Sequence, residues 1–268
     1  VDAMGNAMSA IGLPLWSSAF PMAYYPHNLD VKTKELKVVY FPSCINQTMG
    51  KSKHDDMPLL EKMVKLMQKA GYEVIFPKNM DKLCCGTIWE SKGMPEIADR
   101  KSKELEMALL EASNGGEYPV VCDQSPCLHR MKNVIKGLRL YEPVEFIYEF
   151  IAPRLHFSPI DEPVALHITC SSRHMCLQQK FEALARLCAK KVIIPEEVGC
   201  CGFAGDKGFT KPEVNRYALR KLRSQLEKAG VKRGYSNSRT CEIGLTLNGG
   251  IPYKSIAYLV DECSTEKL

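Results

Sequence analysis

The residues of this chain with the clearest chemical potential are its cysteines, of which there are 12 in 268 residues. The tripeptide Cys-Cys-Gly occurs twice, with one cysteine well before each copy and one well after it. Four thiolates suit either a tetrahedral zinc ion or a four-cysteine iron–sulfur cluster, because both select soft sulfur ligands. The eight candidate metal ligands are Cys44, Cys84, Cys85 and Cys127 in the first half of the chain, and Cys170, Cys200, Cys201 and Cys241 in the second.

The adjacent cysteines help to distinguish these two kinds of site. Zinc sites usually take ligands from a C-x₂₋₄-C segment, whereas two adjacent cysteines spread their sulfurs and suit a larger object. The spacing therefore favours a cluster over zinc. Paired cysteines can also be buried small side chains or a disulfide between neighbours. That structural alternative loses weight because the tripeptide recurs at matching positions.

Three further residues are possible extra ligands. Cys122 stands on the same predicted strand as Cys127, and Cys176 follows Cys170 closely. His174 comes four residues after Cys170 and could bind a metal or hydrogen-bond a sulfur, although a structural histidine is the commoner case.

The remaining two cysteines do not recur in the other half of the chain. Cys188 falls in the apolar helical segment FEALARLCA, which predicts packing in a core. Cys263, near the end of the chain, is expected to be incidental.

Glycines accompany the cysteine pairs. Gly86 follows the first pair, whereas Gly202 and Gly205 lie in the loop CCGFAGDKGF. This loop resembles a phosphate cradle, but here glycine is expected to let backbone amides approach sulfur and donate hydrogen bonds to it. The sequence contains no G-x-G-x-x-G opening a helix after a strand, no Walker loop and no G-x-S-x-G elbow, so other common chemistries are not indicated.

The elements that must position these residues are written twice along the chain. Each half gives strand, helix, strand, Cys-Cys-Gly, helix, strand, last cysteine and helix. The pattern predicts an α/β fold of two pseudo-repeated units, each with a small parallel sheet flanked by helices. Since parallel strands end at one edge, the cysteines should lie at or just beyond that edge, where open α/β sheets bind ligands.

The repeat also predicts the domain boundaries. Residues 1–35 form an N-terminal arm that fits neither repeat, residues 36–157 form the first repeat, and residues 158–268 form the second. The arm segment AIGLPLWSSAFPMAYYP is expected to pack on another surface. The chain starts with Val1 instead of Met, which suggests a fragment or a processed product of a longer protein.

Composition narrows the class of protein. Apolar residues make up 45% and charged residues 25%, which is typical of a folded globular chain. The net charge of +5 is scattered along the chain, so no nucleic-acid partner is expected. No secretory signal and no membrane span of about 18 apolar residues is evident. A reducing cytoplasm is therefore expected, where repeated cysteines indicate metal ligands more readily than disulfides.

The segments FPSCINQTMG, HITCSSRHM, GCCGFAGDKGF and SRTCEIGL resemble the cysteine-rich (CCG) domain family over about residues 36–262. The family includes the cysteine-rich component of heterodisulfide reductase, the iron–sulfur component of glycolate oxidase and the C-terminal part of FAD-linked D-lactate dehydrogenases. The last type is the most similar.

That resemblance implies an electron-transfer module carrying one or two [4Fe–4S] clusters, with zinc in one repeat of some relatives. Upstream FAD-binding and ferredoxin-like regions would supply electrons from a D-2-hydroxyacid, and a quinone or cytochrome would accept them. The module alone is not expected to be catalytic. The protein would be cytoplasmic, or peripheral to the inner face of the membrane through its acceptor.

One departure from the family pattern matters. Each family repeat ends in CxxC, but Gln124 and Ser238 replace the first cysteine of that motif here. Five-cysteine clusters are therefore in doubt and four-cysteine sites are favoured, unless Cys122 substitutes in the first repeat. This speaks against the alternative of a disulfide-cleaving cluster protein like heterodisulfide reductase. A zinc-stabilised docking module is the other alternative.

Overall fold

The computed structural model describes residues 17, 19–26, 29 and 31–267. Val1, on which the expectation of a longer protein rests, lies outside these residues, and so does most of the predicted N-terminal arm. The strands are β1 Leu36–Phe41, β2 Tyr72–Ile75, β3 Val120–Cys122, β4 Leu140–Tyr141, β5 Leu155–Phe157, β6 Val164–Leu166, β7 Val192–Ile193, β8 Gly234–Ser236, β9 Tyr253–Ser255 and β10 Ser264–Glu266.

The helices alternate with these strands, as the repeat predicts. They are α1 Cys44–Thr48, α2 Leu59–Lys69, α3 Thr87–Ser91, α4 Pro95–Ala112, α5 Ser125–Val134, α6 Pro143–Phe146, α7 Cys170–His174, α8 Gln178–Cys188, α9 Pro212–Ala218, α10 Leu222–Lys228, α11 Arg239–Gly249 and α12 Ile256–Glu262. A π-helical turn, Ile147–Ile151, continues α6. No helix within the described residues is long and apolar enough to cross a membrane.

Two parallel sheets with the same strand order form the framework. The first has the order β2-β1-β3-β4, and the second has the order β7-β6-β8-β9. The predicted α/β fold of two small parallel sheets flanked by helices is thus confirmed. The outer strands β4 and β9 were not predicted, because neither lies in an apolar run: polar residues flank the two residues of β4, and β9 is Tyr-Lys-Ser.

Helix α2 shows how the local sequence produces these elements. Apolar side chains recur at helical spacing and form one buried face, which packs against β2 and α12. Its main buried apolar residues are Leu59, Leu60, Met63, Val64 and Met67. Helices α4 and α9 each begin with a proline, which is already fixed in a helical φ and whose missing N–H needs no partner there.

The two halves join through reciprocal contacts. Helix α12 of the second half packs on α2 of the first, and α6 of the first packs on α8 of the second. The last strands of the halves, β5 and β10, pair antiparallel, with His156 opposite Thr265. Because these contacts are equivalent in the two repeats, the repeats are related by an approximate two-fold symmetry. Buried aromatic residues of both halves, such as Phe146 and Tyr235, share one continuous core.

The described part of the N-terminal arm contacts both halves. Ala23 forms an antiparallel bridge with Met49 after α1, and Phe20 packs edge-on against Phe209, with ring centroids 5.2 Å apart. The arm therefore lies on the protein's own surface over these residues.

Buried ion pairs link the halves as well. Lys62 on α2 donates to Asp261 on α12 across 2.7 Å, and the two side chains are each 5% exposed. Lys65 and Lys69 on the same face of α2 also pair with Asp261. Burial opposes ionisation of Asp261, but the three lysines outweigh it and lower its pKa to about 2.

Replacing the Asp261 carboxylate should weaken the contact between the two halves, which is called the joint below. Asp261→Asn is expected to reduce the free energy of unfolding by roughly 3 kcal/mol at pH 7, because it leaves buried lysines short of a partner. The ion pairs stabilise the fold fully above about pH 4, and this contribution should be lost as the pH falls toward 2.

Urea unfolding at several pH values measures this effect. Asp161→Asn is the matched control, since Asp161 pairs with Lys190 at the exposed surface, where water screens the charges, and should change stability little. Equal losses in the two variants would contradict the prediction.

Candidate metal centres

The structure places the candidate cysteines at equivalent points of the two sheets. Cys44 and Cys170 are the first residues of α1 and α7, which follow the central strands β1 and β6. Cys127 and Cys241 are the third residues of α5 and α11, which follow β3 and β8. The strand order reverses direction between these central strands, which is where open α/β sheets form their binding crevices. The first turn of a helix also favours a thiolate.

In the second half, the four sulfurs form a continuous hydrogen-bonded chain. Cys170 and Cys201 both hydrogen-bond to Cys200, and these bonds lower the pKa of the Cys200 thiol. The Sγ atoms of Cys201 and Cys241 are 3.0 Å apart. The two Cys-Cys-Gly sulfurs thus connect the cysteine that follows β6 with the cysteine that follows β8.

The first half has a similar arrangement. Cys127 and Cys84 hydrogen-bond to Cys85, which lowers the pKa of the Cys85 thiol well below its usual range. Burial raises the pKa of Cys44, and the charge of the nearby Cys85 raises it further. Cys44, Cys170 and Cys200 are exposed, whereas the other five candidate ligands are half-buried or buried. Each set is therefore open to the surface at its first cysteine.

These contacts are those of thiols sharing protons. A zinc–sulfur bond of about 2.3 Å in tetrahedral geometry separates two sulfurs by roughly 3.8 Å, more than the 3.0 Å between Cys201 and Cys241. Among the described residues, no group of three or more His, Cys, Asp or Glu side chains is arranged to hold a metal ion. The structure brings the predicted donor sets together, and their role as ligands stays a prediction.

Two of the three predicted glycines bring the backbone close to sulfur. The amides of Gly86 and Gly202 donate to Cys84 Sγ at 3.4 Å and to Cys200 Sγ at 3.3 Å, respectively. Both have positive φ, and a Cβ would lie within 3 Å of α4 at Gly86 and of α9 at Gly202. Gly205 also has positive φ, but the space around it is open. Such sulfur-directed amides are suited to stabilising bound thiolates.

Different side chains fix the two Cys-Cys-Gly loops. In the first half, Ser102 Oγ and Arg130 Nε donate to the carbonyl oxygen of Cys85 at 2.9 and 3.2 Å. In the second half, Asn215 Nδ2 donates to the carbonyl oxygen of Cys201 at 2.5 Å. These residues were not predicted from the sequence, because they come from helices that do not carry the loops.

The residue four positions before each last cysteine is a second feature that the sequence did not reveal. Asp123 accepts a 2.8 Å hydrogen bond from the backbone of Ser43 and one from the Tyr40 hydroxyl, and so ties β3 to the start of α1. Asn237 is its counterpart and donates to Ser172 and Glu142. Asp123 and Asn237 each lie four positions before the last cysteine of their repeat, and this equal spacing could have pointed to them in the sequence.

Arg239 is a buried cation that connects the two halves. It starts α11, and its side chain donates to Asn46 Oδ1 at 3.1 Å and to the Gly50 carbonyl in the first half. Glu242 lies 3.1 Å from it and offsets part of the charge. Arg239 therefore ties the start of α11, which carries Cys241, to α1, which begins at Cys44.

Gln124 and Ser238, which stand where the family repeats have the first cysteine of CxxC, contact each other between the two halves. Gln124 and Ser238 are the N-cap residues of α5 and α11. Gln124 Nε2 donates to Ser238 Oγ at 2.9 Å, and the Arg239 amide donates to Gln124 Oε1. These positions therefore connect the repeats to each other.

The possible extra ligands have different surroundings. Cys122 is fully buried on β3 within the apolar core of the first half. Cys176 is exposed and has a positive φ of 58°. His174 and Cys170 line a cleft of about 320 Å³ between the halves, and the His174 ring centroid lies 5.7 Å from that of His129. None of the three joins the hydrogen-bonded sulfur sets in the described residues.

Comparison with known proteins identifies related sequences. The model of the cysteine-rich (CCG) domain family matches residues 38–132 and 164–246, which together make up more than half of the chain. The match confirms the resemblance seen in the sequence. The chain is also similar to "Lactate utilization protein A 1" of Bacillus mycoides (strain KBAB4), with 23% identity over 252 residues that cover 85% of this chain and 97% of that protein.

Similarity to solved structures is weaker. A putative Asp/Glu racemase from Yersinia pestis gives a TM-score of 0.34 at 14% identity and covers 84% of this chain and 96% of its own. The aspartate racemase of Picrophilus torridus gives 0.37 at 8% identity, with 88% and 96% covered. These scores are too low to support an argument about fold or function.

The close approach at Gly202 leads to a prediction for the second loop. Gly202→Ala should be markedly more destabilising than Gly205→Ala, because its Cβ would lie 2.7 Å from Ala218 Cβ and 2.8 Å from the Val214 carbonyl. Both glycines have φ near 70°, so the roughly 1–2 kcal/mol cost of that conformation is common to the two variants. Urea unfolding measures the difference, and equal losses would contradict the argument.

A second prediction concerns the buried carboxyl group at the joint. Burial raises the pKa of Glu142 to about 8, although the Val144 amide and Asn237 donate to it. The protonated group stabilises the fold fully below about pH 4.5, and this contribution should be lost as the pH rises toward 8. The free energy of unfolding of Glu142→Gln should therefore fall less between about pH 4.5 and pH 8 than that of the unmodified protein.

Urea midpoints between pH 4.5 and pH 8 provide the measurement. Glu149→Gln removes a partly exposed carboxylate from the same helical segment and serves as the control. A pH dependence of Glu142→Gln that runs parallel to that of the unmodified protein would show that Glu142 is not responsible.

Proposed function

We propose, from the premise that the chain belongs to the cysteine-rich (CCG) domain family, that it is an iron–sulfur electron-transfer module. The observation that carries the proposal is the pair of equivalent four-cysteine sets at the carboxyl edges of two parallel sheets. In the second set, all four sulfurs are linked by hydrogen bonds. A soft donor set of this kind fits an iron–sulfur cluster.

The residues of this chain have definite parts in such a centre. The eight predicted cysteines would hold one or two [4Fe–4S] clusters, each of which passes single electrons when bound. The amides of Gly86 and Gly202 would donate to ligand sulfurs, and Phe203, whose amide lies 3.4 Å from Cys201 Sγ, would add a third donor. Such hydrogen bonds and the surrounding burial tune a cluster's potential.

The exposed cysteines indicate where electrons enter and leave. Cys44, Cys170 and Cys200 are exposed, whereas Cys85 and Cys201 are buried. An electron donor or acceptor that docks at the carboxyl edges of the sheets would approach the exposed side of each set. The described residues also include a cleft at Cys170 that is open between the two halves.

The family and the lactate-utilisation relative support a place in hydroxyacid oxidation. In the full proposal, an FAD-binding partner or region oxidises a D-2-hydroxyacid such as D-lactate, and a ferredoxin-like region delivers its electrons to this chain. A quinone or a cytochrome then accepts them. We place this activity in the cytoplasm, with peripheral attachment to the inner face of the membrane through the acceptor.

The ligand assignment can be tested in each half separately. Cys85→Ser and Cys201→Ser should each remove about half of the iron and acid-labile sulfide of a fully loaded chain, because each disrupts one four-cysteine set. If only one repeat is loaded, one variant should lose nearly all of the iron and the other should lose none. Iron, sulfide and zinc assays on anaerobically purified protein provide the measurement.

Cys188→Ala is the matched control, since Cys188 is a buried cysteine in the core and lies outside both sets. It should retain full metal content. Unchanged iron in both serine variants would overturn the ligand assignment, and zinc without sulfide in all proteins would replace the electron-transfer proposal with a docking role.

A further inference from the structure

Two cysteines outside the candidate metal sets contact each other in the core. Cys188 ends α8, and Cys263 lies between α12 and β10; they are 0% and 3% exposed. The thiol of Cys188 hydrogen-bonds to the sulfur of Cys263. The predicted core position of Cys188 is confirmed, whereas Cys263 is not incidental but has a sulfur partner.

The segment that connects the two halves holds both cysteine backbones. The amide of Ser158 donates to the Cys263 carbonyl at 2.8 Å, and the amide of Ile160 donates to the Cys188 carbonyl at 2.9 Å. Two amides only two residues apart lie within about 7 Å of each other. The same segment therefore holds the two cysteine backbones near each other, and the hydrogen bond between the two sulfurs brings their side chains into contact.

We propose that Cys188 and Cys263 form a redox-sensitive dithiol, which a peroxide oxidises to a disulfide that ties together two parts of the second half, α8 and the start of β10, that both contact the first half. Cys263 is the first nucleophile, because it accepts the hydrogen bond from Cys188, which outweighs burial and lowers the pKa of the Cys263 thiol. A thiolate is the reactive form of cysteine. The inference concerns neither the candidate ligands nor bound iron.

The reaction balances with hydrogen peroxide as the oxidant. The Cys263 thiolate attacks one peroxide oxygen, the O–O bond breaks, and the departing hydroxide takes up a proton to leave as water. The sulfur of Cys188 then attacks the resulting sulfenic acid, so that an S–S bond forms and the S–O bond breaks. The Cys188 proton leaves with the hydroxyl group as a second water. Two thiols are thus oxidised while one peroxide is reduced to two waters.

The disulfide would secure the joint through its position. Cys263 directly precedes β10, which pairs with β5 of the first half, and Cys188 ends the helix that packs on α6. A cross-link here closes a long loop that contains most of the second half. It should therefore raise the melting temperature of the full chain by roughly 5–10 °C.

Peptide mapping of the full chain tests the proposal. Purified protein is treated with hydrogen peroxide, unfolded, alkylated with iodoacetamide and digested without reduction for mass spectrometry. We expect a linked peptide pair that joins Cys188 to Cys263 with the loss of two hydrogens, and a rise in melting temperature that dithiothreitol reverses. Mapping also distinguishes this bond from disulfides among the eight candidate ligands.

Two variants complete the test. Cys263→Ser should abolish the peroxide-induced rise, whereas Cys176→Ser, which removes an exposed thiol, should retain it. Alkyl label on both Cys188 and Cys263 in the peroxide-treated unmodified protein would overturn the proposal, whether or not Cys263→Ser folds. A linked peptide pair without a change in melting temperature would overturn the locking role.

Discussion

Parallel strands deliver their carboxyl ends to one edge of a sheet, and most of this structure depends on that constraint. In each half, the two central strands end beside each other and are followed by helices whose first turns carry cysteines. The Cys-Cys-Gly loop after the neighbouring strand then needs to cross only a short distance to bring two more sulfurs to the same point. Gly86 and Gly202 permit this approach, because a side chain there would collide with α4 and α9, respectively.

The joint between the repeats places the two edges in one polar environment. Residues just before the last cysteine of each repeat form hydrogen bonds to the other half. Gln124 donates to Ser238, its counterpart in the second repeat, and Asn237 donates to Glu142. Arg239 reaches from the second half to the loop that follows Cys44. Because these groups are buried, each depends on its partner for hydrogen bonding. The joint therefore fixes the two cysteine sets relative to each other.

The sequence was sufficient to predict the two parallel sheets, their flanking helices and the clustering of cysteines at one edge, because strand and helix patterns repeat with the same landmarks. It was insufficient for β4 and β9, which do not lie in apolar runs. It also gave no sign of the roles of Arg130, Asn215 and Arg239, since their contacts join residues far apart in the chain. The pairing of Cys188 with Cys263 was missed for the same reason.

The most direct test of the central claim is the iron, acid-labile sulfide and zinc content of the anaerobically purified protein, with its visible spectrum before and after dithionite. The account predicts roughly four to eight irons per chain, a matching amount of sulfide and absorption that dithionite bleaches. A colourless protein that contains zinc and no sulfide would contradict it.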